Sequence, residues 1–105
     1  MDMRKMMKQA QKMQLELARA QEEIKDFTYI ATAGGGMVSV TAKGDNTIES
    51  VVINPEAVDP EDVEMLQDMV IAAVNDALTG VSEQSEVRMS NVTAGMKGMN
   101  IPGLM

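Results

Sequence analysis

Residues 3–27 read MRKMMKQAQKMQLELARAQEEIKDF, with apolar side chains at Met3, Met6, Ala10, Met13, Leu17, Ala20, Ile24 and Phe27. Steps of three and four residues alternate along this set, which is the heptad seam of a helix that packs lengthwise against another helix. With Met3 at position a, Arg4 and Lys25 fall at b, Lys5, Lys12 and Arg19 at c, and Lys8 at f. Every basic residue of the stretch is therefore off the seam. The pattern predicts a helix over 2–26, on the order of 36 Å long at 1.5 Å rise per residue. A small domain is narrower than that, so part of the helix projects.

Beyond the helix the period changes from heptad to alternating. Residues 27–33, FTYIATA, are rich in β-branched and aromatic side chains and end at Gly34-Gly35-Gly36. Val38, Val40 and Ala42 then alternate with Ser39, Thr41 and Lys43 as far as Gly44-Asp45-Asn46, and residues 47–53 return to Asn54-Pro55. Short strands separated by tight turns predict an antiparallel meander with strands 27–33, 37–43 and 47–53. The acids of Asp59-Pro60-Glu61-Asp62 suit a helix start, with Asp59 as N-cap and Pro60 at the first helical position. A helix over 60–79 follows, with Gly80 as its C-cap. Ser82, Ser85, Ser90 and Asn91 lower the propensity of a further helix over 82–93. From residue 94 to 105, Gly and Pro alternate with Met without a period, as expected of a flexible tail. Residues 1–93 thus form one domain.

Charge divides this chain unevenly. It has 105 residues and a formal net charge of −7, yet residues 1–25 carry six basic and four acidic side chains, and residues 26–105 three and twelve. A basic arm stands on an acidic body. The Debye length is about 8 Å at physiological salt, so an arm that projects acts electrostatically almost on its own. Phe27 and Tyr29 are the only aromatic residues, and the small aliphatic core this implies is more easily stabilised in an oligomer, so a homodimer is expected.

With no Cys and no His, disulfides, thiolate chemistry, the commonest general base and the commonest metal ligand are all missing. The five serines at 39, 50, 82, 85 and 90 therefore have no imidazole to activate them. No catalytic residues, cofactor or small-molecule substrate are expected, and the chain reads as a non-enzyme. No apolar run approaches the ~20 residues of a membrane span and no signal-peptide h-region is present, so a cytoplasmic protein is expected.

Three features have competing readings. The rows Arg4, Lys8, Lys12 and Lys5, Lys12, Arg19 suit a phosphate backbone, whereas a solvated helix exterior is what b, c and f positions usually are. The triple glycine is not a phosphate cradle, because a strand rather than a helix N-terminus follows it; a turn with positive φ is the better reading. Glu56, Asp59, Glu61, Asp62 and Glu64 lie where a helix dipole accepts acids, without the convergence a cation needs.

Taken together, Met7-Lys-Gln-Ala-Gln-Lys-Met-Gln14, Ala33-Gly-Gly-Gly-Met-Val38, Val52-Ile-Asn-Pro-Glu56, residues 64–78 (EMLQDMVIAAVNDAL) and Thr93-Ala-Gly-Met96 resemble the YbaB/EbfC family of bacterial nucleoid-associated proteins, in order and spacing over nearly the whole chain. The resemblance implies an α+β fold with a long N-terminal helix, a three-stranded antiparallel sheet and C-terminal helices, assembled as a tweezer-like homodimer. It also implies duplex DNA as partner, projecting helices as the contact, a nucleoid location, and a role in chromosome organisation or gene expression. The matching N-terminal positions are Lys8 and Lys12; Arg4, Lys5 and Arg19 join them by the face argument, and Arg88 and Lys97 are secondary candidates. Family members often carry several basic residues in the second and third strands, whereas residues 37–54 here contain only Lys43. The net charge leaves an alternative open: an acidic dimeric scaffold that binds another protein through its seam and Met-rich tail, without DNA.

Overall fold

In the computed structural model, which describes residues 2–97, the order is α1 (Met3–Lys25), β1 (Thr28–Ala33), β2 (Val38–Lys43), β3 (Ile48–Ile53), a 3-10 turn (Pro55–Ala57) and α2 (Val63–Lys97). The α+β architecture expected from the sequence is the one observed. Helix α1 starts where the side chain of Asp2 accepts from the Arg4 amide at 3.1 Å, filling one of the donors a helix N-terminus leaves open. It ends at Asp26, whose amide donates to the Glu23 carbonyl at 3.1 Å, and the chain turns directly into β1.

The strands form one sheet in the order β1-β2-β3, both pairs antiparallel, with Ala31 opposite Val40 and Val40 opposite Val51. At the β1–β2 turn Gly34, Gly35 and Gly36 take φ of 64°, 67° and 93°, the region where L side chains are disfavoured. Gly44 closes β2 against α1: a Cβ there would stand 1.5 Å from the Ile24 carbonyl oxygen. Its amide donates to the Phe27 carbonyl at 2.9 Å. Alternation in β2 buries Val38, Val40 and Ala42 on the side facing α2.

The C-terminal half corrects the sequence reading in two places. Asp59 does not cap a helix; its side chain accepts from the Glu61 amide at 2.9 Å, and its carbonyl accepts from the Asp62 amide at 3.0 Å. This is a tight turn that fixes Pro60. The cap is Asp62, which accepts from the Met65 amide at 3.3 Å, so α2 starts at Val63. The second correction is larger: the helices expected at 60–79 and 82–93 are one helix of 35 residues, about 52 Å long. Gly80 is fully inside it. A Cβ at Gly80 would lie 2.2 Å from the Tyr29 ring, so this glycine lets β1 approach the helix rather than ending it. The polar residues that weakened the prediction bond back into the helix, Ser85 to the Val81 carbonyl at 2.8 Å and Thr93 to that of Met89 at 3.0 Å, as hydroxyls in helices can. Residues 94–97 of the expected tail belong to α2, and 98–105 lie outside the described residues.

Two apolar clusters result. In the body, α2 lies over β1 and β2, and Ala31, Val38, Val40, Ala42, Ala73, Ala77 and Val81 are buried between them. In the arm, Ala20 and Val92 are buried with Met13, Leu17 and Met89 around them. Ala20 meets Val92 while Glu23 meets Arg88, so the helices run antiparallel. The chain measures 72 × 22 × 15 Å with a radius of gyration of 20.4 Å, against about 13 Å for a compact domain of this length. The protein is a rod: a sheet body continued by a two-helix arm.

Candidate nucleic-acid interface

The arm carries the basic residues because the seam orients it. Ala20, Leu17 and Met13 face α2, which turns the other side of α1 to solvent. At about 100° per residue, Arg4, Lys5, Lys8, Lys12 and Arg19 share an arc of about 100°, centred roughly 145° from the seam. All five are exposed. Among the described residues, none of the five makes an ion pair, the two pairs present being Lys25 with Glu22 and Arg88 with Glu23. Residues 3–15 include no Asp or Glu, so the distal half of the arc has positive charge only.

The five are not equivalent. Arg19 lies four residues before Glu23 and lends a weak Coulombic pull to it, the Glu23 carboxyl being held below its ordinary range mainly by a hydrogen bond from Arg88. Arg4, Lys5, Lys8 and Lys12 stand on the free end, spread over about 12 Å of helix axis. Arg88, a secondary candidate, is placed elsewhere: its Nε donates to Glu23 Oε2 at 2.8 Å, tying the two helices together. Lys97 ends α2.

Acids dominate the body. Asp76 and Glu83 line a shallow hollow with Tyr29, Ile30, Thr32 and Gly80, and Glu83 and Glu86 a second with Asn46, Leu78 and Ser82. No cluster of three or more potential metal-ligating side chains occurs among the described residues. The acids at 56–64 are divided among the turns and helix start described above. Nor is any helix of the described residues long and apolar enough to cross a membrane.

Sequence reasoning singled out nothing on β3, where the structure leaves apolar surface exposed. Strand β3 is an edge whose inward-facing Ile48, Val51 and Ile53 remain 37%, 45% and 36% exposed, because α2 covers β1 and β2 instead. Ile71 on α2 is also exposed. The signal was present in the sequence, since residues 48–53 contain apolar side chains on both faces (Ile48, Val51, Val52, Ile53), more than one helix can cover.

Comparison with known proteins identifies similar sequences and a similar fold. A profile of the YbaB/EbfC DNA-binding family matches residues 1–96. A nucleoid-associated protein of Pelotomaculum thermopropionicum is 53% identical over 103 residues, covering 98% of this chain and 95% of its own. One of Desulforamulus reducens is 54% identical over 103 residues, with the same coverage of 98% and 95%. The crystal structure of an uncharacterized protein from Helicobacter pylori superposes with a TM-score of 0.71 at 28% identity, covering 89% of this chain and 98% of that one.

Proposed function

We propose, from the premise that this chain belongs to the YbaB/EbfC DNA-binding family, that it is a homodimeric nucleoid-associated protein gripping duplex DNA by its phosphates. The observation that carries the reading is the basic arc on the free half of α1, without neighbouring acids in residues 3–15 and without an ion pair among the described residues. Arg4, Lys5, Lys8 and Lys12 are the principal contacts and Arg19 a weaker one. Ammonium and guanidinium groups spaced along a helix neutralise phosphates and release their counterions, which provides affinity without sequence information. The chain has no aromatic stacking set, so recognition rests on backbone charge and duplex shape. The chemistry is binding, not catalysis, and its setting is the nucleoid.

Dimerisation is supported by the open β3 edge. An uncovered strand with apolar residues on its inner face is a template for another chain. Two copies joined through β3 place two arms on one assembly, and each arm then acts at the high effective concentration set by the other. The acidic body keeps DNA away from the sheet and confines contact to the arms.

The test is a triple substitution, Lys5→Glu, Lys8→Glu and Lys12→Glu, assayed by fluorescence anisotropy on labelled duplex with light scattering as the control for assembly. Binding should be lost while the assembly persists. Retention of binding by an intact assembly would remove the basic arc as the contact and favour the acidic scaffold.

A further inference from the structure

The sheet has a second open edge, on β1. The Gly44 amide donates to the Phe27 carbonyl at 2.9 Å, which makes Tyr29 with Ala42, Ala31 with Val40 and Ala33 with Val38 the hydrogen-bonded pairs of the β1–β2 ladder. The amides and carbonyls of Thr28, Ile30 and Thr32 therefore point away from β2. Among the described residues, no backbone hydrogen bond from outside the sheet reaches them. Helix α2 runs beside this row, and the hollow described above lies between the two, with Tyr29, Ile30 and Thr32 on the strand side and Asp76, Thr79 and Glu83 on the helix side. Asp76 and Glu83 are two turns apart on one face of α2, about 10 Å along its axis. Both are exposed, and neither makes an ion pair among the described residues.

We propose that β1 and this acidic wall form a docking groove for an extended basic segment of another protein, which adds to the sheet as a fourth strand beside β1. Open edge groups supply the main-chain bonds of such an addition, and the flanking side chains supply its selectivity. Side chains alternate along a strand, so one set on the added segment faces α2 and the other lies beside Ile30. Lys or Arg in the first set meets Asp76 and Glu83. Ile30 is on the sheet face away from α2, since its neighbour Ala31 is buried toward the helix, and it is 64% exposed; a β-branched apolar residue in the second set covers it. This chain has no segment of that kind to offer a second copy. The basic row of α1 is helical, β3 has Glu49 and neither Lys nor Arg, and residues 98–105 contain no Lys or Arg. The occupant is therefore a different chain. The groove uses neither the basic arc of α1 nor the β3 edge, so it does not rest on the DNA reading.

The probe is a fluorescein-labelled peptide of alternating Val and Lys, titrated into the full-length protein without DNA, beside a second peptide with Glu in place of Lys. The Val-Lys peptide should bind on the order of tenfold more tightly, and Asp76→Lys with Glu83→Lys should reverse the preference. Glu61→Lys with Asp68→Lys makes the same change of charge outside the hollow and should leave the preference in place. Equal binding of the two peptides, or the same loss in both double variants, would reduce the effect to attraction by the net charge of −7 and overturn the proposal. Amide exchange gives the second reading: the Val-Lys peptide should slow exchange at Thr28, Ile30 and Thr32 by on the order of tenfold. Binding that leaves these three amides unchanged would overturn the strand addition. Protection of the same amides in the free protein that disappears on dilution would assign the edge to a second copy, and would overturn it as well.

Discussion

Arg88 donates its Nε to Glu23 Oε2 at 2.8 Å, a bond between residues 65 apart in sequence that joins the helices close to where the arm leaves the sheet. Its influence is visible on both groups: the hydrogen bond lowers the Glu23 carboxyl below its ordinary value of 4.5 and raises the Arg88 guanidinium. Because the folded carboxyl is the more acidic, its stabilisation is complete above 4.5 and is lost as the pH falls through the lowered folded value. Arg88→Met should therefore lower the urea midpoint slightly at pH 7, the pair being solvent-exposed. The difference from wild type should shrink as the pH is lowered below 4.5 and through the folded value. A difference that does not shrink as the carboxyl is protonated would assign the effect to lost packing.

Tyr29 and Gly80 make a sharper prediction. A Cβ on residue 80 would lie 2.2 to 2.5 Å from three ring atoms, so Gly80→Ala must displace the ring although Ala is the better helix former by about 1 kcal/mol. Overpacking of this kind costs about 1–3 kcal/mol, and net destabilisation is expected. In a Tyr29→Ala background the clash is gone and the same substitution should stabilise, by up to about 1 kcal/mol. Urea unfolding of the four proteins reads the change of sign.

The open edge can be tested apart from DNA. Val51 is central in β3 and 45% exposed beside the half-covered Ile48 and Ile53. Val51→Asp places a charge in the proposed junction, and light scattering should show a monomer with an unchanged far-ultraviolet spectrum. A dimer that survives would move the junction to another surface.

Within the basic arc, position sets contribution. Lys8 lies on the acid-free half, whereas Arg19 shares its field with Glu23. Lys8→Ala should reduce the salt dependence of DNA binding by about one phosphate contact per arm, and Arg19→Ala by less. Titrations at several salt concentrations distinguish the two.

The sheet was legible because alternation, glycine turns and strand length agree at every step: the strands begin one residue later than expected and end where expected. The basic face was legible because heptad spacing alone puts Arg4, Lys8 and Lys12 off the seam. Gly80 was not. A glycine after a helical run has the same local signature whether it ends the helix or admits a neighbouring ring, and only the approach of Tyr29, from 51 positions away in the chain, decides between them. The same applies to Arg88, whose charge looked available until Glu23 was placed beside it. Asp59 and Asp62 show a third case: two caps compete three residues apart, and Asp59 is taken by its own turn.

The most direct test of the account is the affinity of the full-length protein for one labelled duplex across a salt series. If one arm's five side chains neutralise about five phosphates, log affinity against log salt should fall with a slope of about −4 to −5, and more steeply if both arms engage. A slope near zero, or no binding at low salt, would contradict the phosphate grip.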